Sequence, residues 1–123
     1  MRQLLIALLL FSAASQVVAP AAAQDRPPPA RGGLVDLAQR VGEAHALGQA
    51  CDPDSQTWRA RMLRLIEVET PDEAFRTRLF NSFNTGFRAA QVRHPRCSAA
   101  ARSEAARVAS RGRDLARVIS AAR

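Results

Sequence analysis

The chain has 123 residues, of which 18 are arginine, 11 are acidic and two are cysteine, and lysine is absent. This length holds one domain and excludes a multidomain architecture. The charge is unevenly divided, since residues 34–87 carry six arginines against eight acidic residues, and residues 88–123 carry nine arginines against two. The basic character therefore belongs to the C-terminal third of the chain.

Residues 1–23 have the pattern of a secretory signal peptide. Arg2 supplies a positive start, residues 4–11 form an apolar run, and alanines at 21–23 precede a cleavage point at Gln24. The apolar run is shorter than the about 20 residues that a membrane-spanning helix needs. No cysteine directly follows it for lipid attachment. We therefore expect an exported, periplasmic protein without a transmembrane anchor after cleavage.

Residues 24–33 are interpreted as a flexible tether. They contain Pro27-Pro28-Pro29 and Gly32-Gly33, and proline and glycine disfavour helix interiors and central strands. The helical domain is then expected over residues 34–123.

Two helices are predicted in the first half of that domain. The first spans residues 34–50, and its apolar face continues to Cys51, which is expected to face inward at the helix end. The second is predicted from a cap at Asp54 or Ser55 to about Glu69. Its apolar face consists of Trp58, Met62, Leu65 and Ile66.

The third helix has the clearest predicted start. Thr70-Pro71-Asp72-Glu73 has the form of a capping box with proline at the first helical position, and His94-Pro95 ends the helix. Gly86 lies on the apolar face, where we expect it to let another backbone approach closely. The large residues of that face are Phe75, Leu79, Phe80, Phe83 and Phe87.

The last helix is predicted to begin after a cap at Ser98. Small apolar residues step along one of its faces, and arginine covers the rest. The candidate partner-binding residues on it are Arg102, Arg107, Arg111, Arg113 and Arg117. No segment alternates with the period of a strand, so the sequence predicts an all-α, compact four-helix domain.

One disulfide is expected to tie this domain together. Cys51 and Cys97 are the two cysteines of the chain, and an oxidising compartment favours a bond between them over free thiols. The bond joins the end of the first helix to the start of the fourth.

Seven residues near or between the cysteines form a sequence motif. The motif residues are His45, Trp58, Arg59, Phe83, Asn84, Gly86 and Phe87. With them the chain resembles an uncharacterised family of small exported alphaproteobacterial proteins that carry two spaced cysteines. The resemblance covers residues 34–97 and implies the helical architecture and export, but it brings no established activity.

The candidate chemical sites have plainer structural interpretations. His45 and His94 precede the cysteines at spacings that match no common zinc motif, so no metal site is predicted and His45 is interpreted as a core histidine. Trp58 and the phenylalanines form either a core or a ligand pocket, with the core favoured. Asn84 either contacts a ligand or holds a loop or helix end. Glu67, Glu69, Asp72 and Glu73 could do acid-base work or bind a cation, but helix capping already explains two of them. No catalytic set or cofactor motif is present in the sequence.

The leading functional interpretation is a non-enzymatic periplasmic helical module for binding or assembly in the cell envelope. Its basic last helix engages an acidic envelope component or protein, or is only solvated. Nucleic acid is not expected as a partner, because the chain is predicted to be exported and lacks a recognisable binding module. Two alternatives stay open, namely a disulfide-tied periplasmic chaperone-like or stress protein and a small metal-binding protein or enzyme.

Overall fold

The computed structural model describes residues 22–122, which form one 3-10 turn and four α-helices. The elements are the 3-10 turn Ala23–Asp25, α1 Pro28–Cys51, α2 Thr57–Glu69, α3 Glu73–Arg93 and α4 Ala99–Ala121. No strand occurs in this part of the chain. The predicted all-α, four-helix domain is confirmed.

Helix α1 is the axis of the fold. The other three helices pack against α1 rather than against one another. Residues 41–47 of α1 are consecutively buried, which is the pattern of a helix enclosed by its neighbours. The main core cluster joins the four helices through Leu34, Ala38, Val41, Met62, Ile66, Phe75, Leu79, Phe83 and Ile119.

Two glycines set the distance between α1 and α3. A Cβ on Gly42 would lie 1.9 Å from the carbonyl oxygen of Phe83, and a Cβ on Gly86 would lie 2.1 Å from the carbonyl oxygen of Gln39. Neither glycine has a positive φ, so close backbone approach, not conformational freedom, requires glycine there. The structure thus places Gly86 at the kind of contact that its position on the apolar face predicted.

Helix α4 begins as predicted, because Ser98 Oγ accepts a hydrogen bond of 3.0 Å from the Ala101 N–H.

Helix α3 begins later than the proposed capping box. Asp72 is the cap, with Oδ1 accepting from the Phe75 N–H at 2.8 Å. Thr70 instead ends α2, because its N–H donates to the Ile66 carbonyl and its φ is 43°. Helix α2 likewise starts later, after Gln56, which makes no side-chain cap.

Helix α1 begins at Pro28, six residues before the predicted start. Prolines are compatible with a first helical turn, because the N–H groups there have no partner within the helix. Gly33 is then held in the helix by packing, since a Cβ there would lie 3.0 Å from Cγ1 of Ile119. Residues 28–33, predicted as part of a flexible tether, are therefore helical.

The residues just before α1 are fixed by long-range contacts. The guanidinium of Arg26 donates from Nε and Nη2 to the two carboxylate oxygens of Glu69, at 2.8 Å each, and from Nη1 to the Ile119 carbonyl at 3.2 Å. Both side chains of the ion pair are 7% exposed. Gln24 Oε1 also accepts from the Asp72 N–H at 2.9 Å. The predicted signal peptide, apart from Ala22 and Ala23, lies outside the described residues.

The disulfide between Cys51 and Cys97 is confirmed, with a Cα–Cα distance of 4.6 Å. Both cysteines are exposed, so Cys51 does not face inward as the helical pattern suggested. The reason is that the fully buried stretch of α1 ends at Leu47, one turn earlier. The bond therefore joins two helix ends at the surface of the domain.

Candidate functional site: an arginine-bearing helix and an apolar groove

The arginines of α4 lie on two flanks of the helix. At about 100° per residue, Arg102, Arg113 and Arg117 fall on one side of the buried line, and Arg107 and Arg111 fall on the other. All five are exposed. The arginines therefore frame α4 on both sides and do not form a single stripe.

Most of these guanidiniums have no acidic neighbour. Arg117 pairs with Asp114. Within residues 22–122, no carboxylate lies within ion-pair distance of Arg102, Arg107, Arg111 or Arg113. Exposed guanidiniums without a partner retain their planar set of donors for an external carboxylate or phosphate.

A groove of about 320 Å³ runs over α1 between α2 and α4. Leu37, Val41 and Ala44 of α1 form its floor. The apolar walls are Trp58, Leu65 and Val68 from α2 and Val108, Ala109, Gly112 and Ala116 from α4. The groove exists because the α4 wall consists largely of alanine and glycine, and because α2 and α4 pack on α1 rather than on each other.

Among the described residues, four arginines and no acidic residue line the same groove. The arginines are Arg40, Arg61, Arg64 and Arg113. Two of them have carboxylate partners outside the groove lining. Arg40 Nη1 donates to both oxygens of Glu43 at 3.0 and 3.1 Å, and Arg64 pairs with Glu67 at 2.8 Å.

The other two have no carboxylate partner in the described part of the chain. The guanidinium carbon of Arg61 lies 4.3 Å from the centre of the Trp58 ring, which is a cation–π contact. Arg113 extends from the opposite wall. The groove is therefore apolar inside and positively charged at its edges.

The motif residues lie in the core, in the groove or at the surface, where Arg59 and Asn84 are exposed outside the groove lining. His45 is buried beside the rings of Phe83 and Phe87, with ring centres 5.8 and 5.4 Å away. Burial, assisted by the nearby charge of Arg59, lowers the pKa of His45 below its ordinary value. Among the predicted aromatic set, Trp58 alone lines the groove, and the four phenylalanines of α3 do not.

The family comparison covers nearly all of this architecture. The model of the family described as protein of unknown function (DUF2385) matches residues 29–122. The chain belongs to this family. The DUF2385 match extends beyond the expected residues 34–97 to include α4, and the expected membership in a family without an assigned activity is confirmed. No curated protein and no solved structure shows significant similarity to the chain.

The other polar residues of interest in this DUF2385 domain lie outside the groove. Asn84 is exposed in the middle of α3, so it neither caps a helix nor lines the groove. Glu104 accepts from Arg93 Nη2 at 2.8 Å and hydrogen-bonds His94. Burial alone would raise the pKa of Glu104, but the hydrogen bonds from Arg93 and His94 outweigh it and lower that pKa. Between residues 22 and 122, no three His, Cys, Asp or Glu side chains are grouped so that they could hold a metal ion.

Sequence reasoning missed the groove in the DUF2385 domain and the arginines of α1 and α2 beside it. The predicted apolar face of the second helix does not include Arg61. However, steps of three and four residues separate Trp58, Arg61, Leu65 and Val68. Such steps mark one flank of a helix. That spacing was the available signal for an arginine on a partly apolar wall.

Proposed function

We propose that the protein is a non-enzymatic binding or assembly module of the cell envelope, exported to the periplasm, whose α4 binds an acidic envelope component or protein. The observation that carries the proposal is a set of exposed α4 arginines that have no carboxylate within ion-pair distance among residues 22–122, namely Arg102, Arg107, Arg111 and Arg113. Residues 88–123 hold nine of the chain's arginines against two acidic residues, so an anion approaching this end meets little opposing charge.

Export is supported by the cysteine chemistry. The Cys51–Cys97 bond is typical of an oxidising, extracytoplasmic compartment. Residues 1–23 have the composition of a cleavable leader. None of the helices within residues 22–122 combines the length and the hydropathy that crossing a bilayer requires.

A binding role is also supported by the way the titratable side chains are used. Glu69 is bound bidentately by Arg26, and Asp72 caps α3. His45 packs between aromatic rings with a lowered pKa, which favours its neutral form. These groups serve the pairing, capping and packing of the helices.

The test compares two variants with equal charge change. In the first, Arg102, Arg107 and Arg111 are replaced by glutamine. In the control, Arg76, Arg78 and Arg88, which are exposed arginines of α3, are replaced in the same way. Binding of the exported protein to immobilised polyglutamate and to an anionic polysaccharide is measured over a range of salt concentrations.

We expect the α4 variant to bind on the order of tenfold more weakly, because three exposed ion pairs contribute roughly 0.2–1 kcal/mol each. The α3 control should bind like the original protein. Equal weakening of the two variants, or binding that salt does not affect, would refute a specific role for α4.

A further inference from the structure

The groove between α2 and α4 has a chemistry that the basic character of α4 does not explain. Apart from four arginines and Trp58, its lining residues are leucine, valine, alanine and glycine. The polar side-chain groups among the lining residues are thus guanidiniums and an indole N–H, which donate hydrogen bonds and accept none. A ligand that fits must therefore combine a hydrocarbon part with a group that accepts hydrogen bonds and carries negative charge.

The lining excludes ligands with many polar groups along their length. A sugar chain or an extended peptide would bury donors for which these side chains provide no acceptor, and each such group costs roughly 1–3 kcal/mol. A single hydrocarbon chain carries no such groups along its length.

The arginines indicate where the charged group binds. Arg40 and Arg64 are already paired with Glu43 and Glu67, whereas Arg61 and Arg113 have no carboxylate partner within residues 22–122. These two belong to α2 and α4, on opposite walls. Because a guanidinium binds carboxylate or phosphate with two parallel hydrogen bonds, Arg61 and Arg113 can each recognise an anionic headgroup.

We propose that this groove binds a single-chain anionic amphiphile, with the hydrocarbon chain lying over Leu37, Val41 and Ala44 and the carboxylate or phosphate headgroup paired with Arg61 and Arg113. The small residues Ala109, Gly112 and Ala116 of α4 leave the space for the chain. A Cβ on Gly112 would approach no atom more closely than 3.9 Å, so glycine there keeps the groove open and is not required for helix packing. This site is separate from the α4 flank that carries Arg107 and Arg111.

Trp58 provides a direct measurement, because it is the one tryptophan of the chain and it lines the groove. Dodecanoate and dodecyl phosphate are titrated into the full exported protein below their micelle concentrations, while Trp58 fluorescence and heat release are recorded. Dodecyl maltoside tests the uncharged chain, and acetate and inorganic phosphate test the headgroup alone. We expect saturable one-to-one binding of the two anionic amphiphiles and at least tenfold weaker binding of the other three probes. A preference between carboxylate and phosphate identifies the headgroup class.

Variants separate the groove from the rest of the surface. Ala109→Leu and Ala116→Leu fill the groove and are expected to weaken dodecyl phosphate binding at least tenfold, whereas Ala106→Leu, at an exposed position of α4 outside the lining, should not. Arg113→Gln is expected to weaken binding of the anionic amphiphiles but not of dodecyl maltoside. Arg111→Gln is the matched charge control, because Arg111 does not line the groove, and it should bind the amphiphiles as tightly as the original protein. Circular dichroism and thermal unfolding establish that each variant is folded.

The proposal is overturned if the filled variants bind as well as the original, or if dodecyl maltoside binds as tightly as the anionic amphiphiles. It is also overturned if sedimentation shows that the groove is covered by a second copy of the chain and no amphiphile binds. The result does not depend on α4 binding polyanions, because the variant at Arg102, Arg107 and Arg111, which lie outside the groove lining, is expected to keep full affinity for dodecyl phosphate. The two proposals can therefore fail separately.

Discussion

Replacing Gly86 by alanine would place a methyl group against the backbone of α1. The added Cβ would lie 2.1 Å from the carbonyl oxygen of Gln39, which is 0.9 Å inside the 3.0 Å limit that real Cβ contacts respect. The obstacle is a backbone atom in the middle of a buried helix, so it cannot rotate away as a side chain would. The two helices must therefore move apart at their closest point.

The expected cost follows from two opposing effects. Overpacking of a tight interface costs about 1–3 kcal/mol, and the size of this overlap favours the upper end. Alanine in place of glycine returns about 1 kcal/mol through helix propensity. We therefore expect Gly86→Ala to lower the free energy of unfolding by about 2 kcal/mol, and the melting temperature by roughly 8–16 °C for a domain of this size.

The measurement is urea denaturation and thermal unfolding with the disulfide intact. Gly32→Ala is the matched control, because Gly32 is also helical but a Cβ there would meet no atom within 4 Å. That variant should gain up to about 1 kcal/mol. If Gly86→Ala unfolded at the same urea concentration as the original protein, or at a higher one, with an unchanged denaturant slope, the two backbones would not be held at this distance and the reasoning would be wrong.

Three further outcomes are expected. Glu69→Gln leaves buried Arg26 without its anionic partner and should lower the free energy of unfolding by about 3–5 kcal/mol. Replacing both residues by methionine should restore most of that stability. Urea denaturation of the two variants measures both changes. The Cys51–Cys97 bond joins residues 46 apart in sequence, and its reduction should lower the free energy of unfolding by roughly 4 kcal/mol. The change is measured as the shift of the urea midpoint when dithiothreitol is added. The variant with serine at both positions should show no such shift. Because burial and the charge of Arg59 lower the pKa of His45, the unfolded chain binds a proton at higher pH than the folded domain, and stability should fall as pH drops below about 6.5. Unfolding midpoints between pH 8 and 5 test this, and a slope that persists in His45→Gln would contradict the assignment.

Local sequence signals predicted the features that depend on local chemistry. Ser98 was identifiable as a cap because a serine side chain supplies the acceptor that a helix start needs. His94-Pro95 marked the end of α3, because the residue before proline avoids helical conformation. The first helix was harder, since the prolines at its start disrupt most helices and are tolerated only in the first turn.

The features that the sequence did not reveal are those that depend on distant parts of the chain. The residues of the Arg26–Glu69 ion pair are 43 positions apart in sequence. The sequence around either residue does not indicate that the other is its partner. The groove likewise cannot be predicted from the sequence of any single helix. It arises from the separation of α2 and α4 across α1, so the apolar and charged residues of its walls come together only in the assembled domain.

The central position of α1 has a consequence for how the domain can vary. Because residues 41–47 are all buried, a substitution there disturbs the packing of the helices around them. The outer helices share few backbone contacts with one another, so side chains on the solvent-facing surface of one outer helix can change without disturbing the other two. A scaffold arranged in this way can diversify its surface one helix at a time, with its innermost segment held nearly constant.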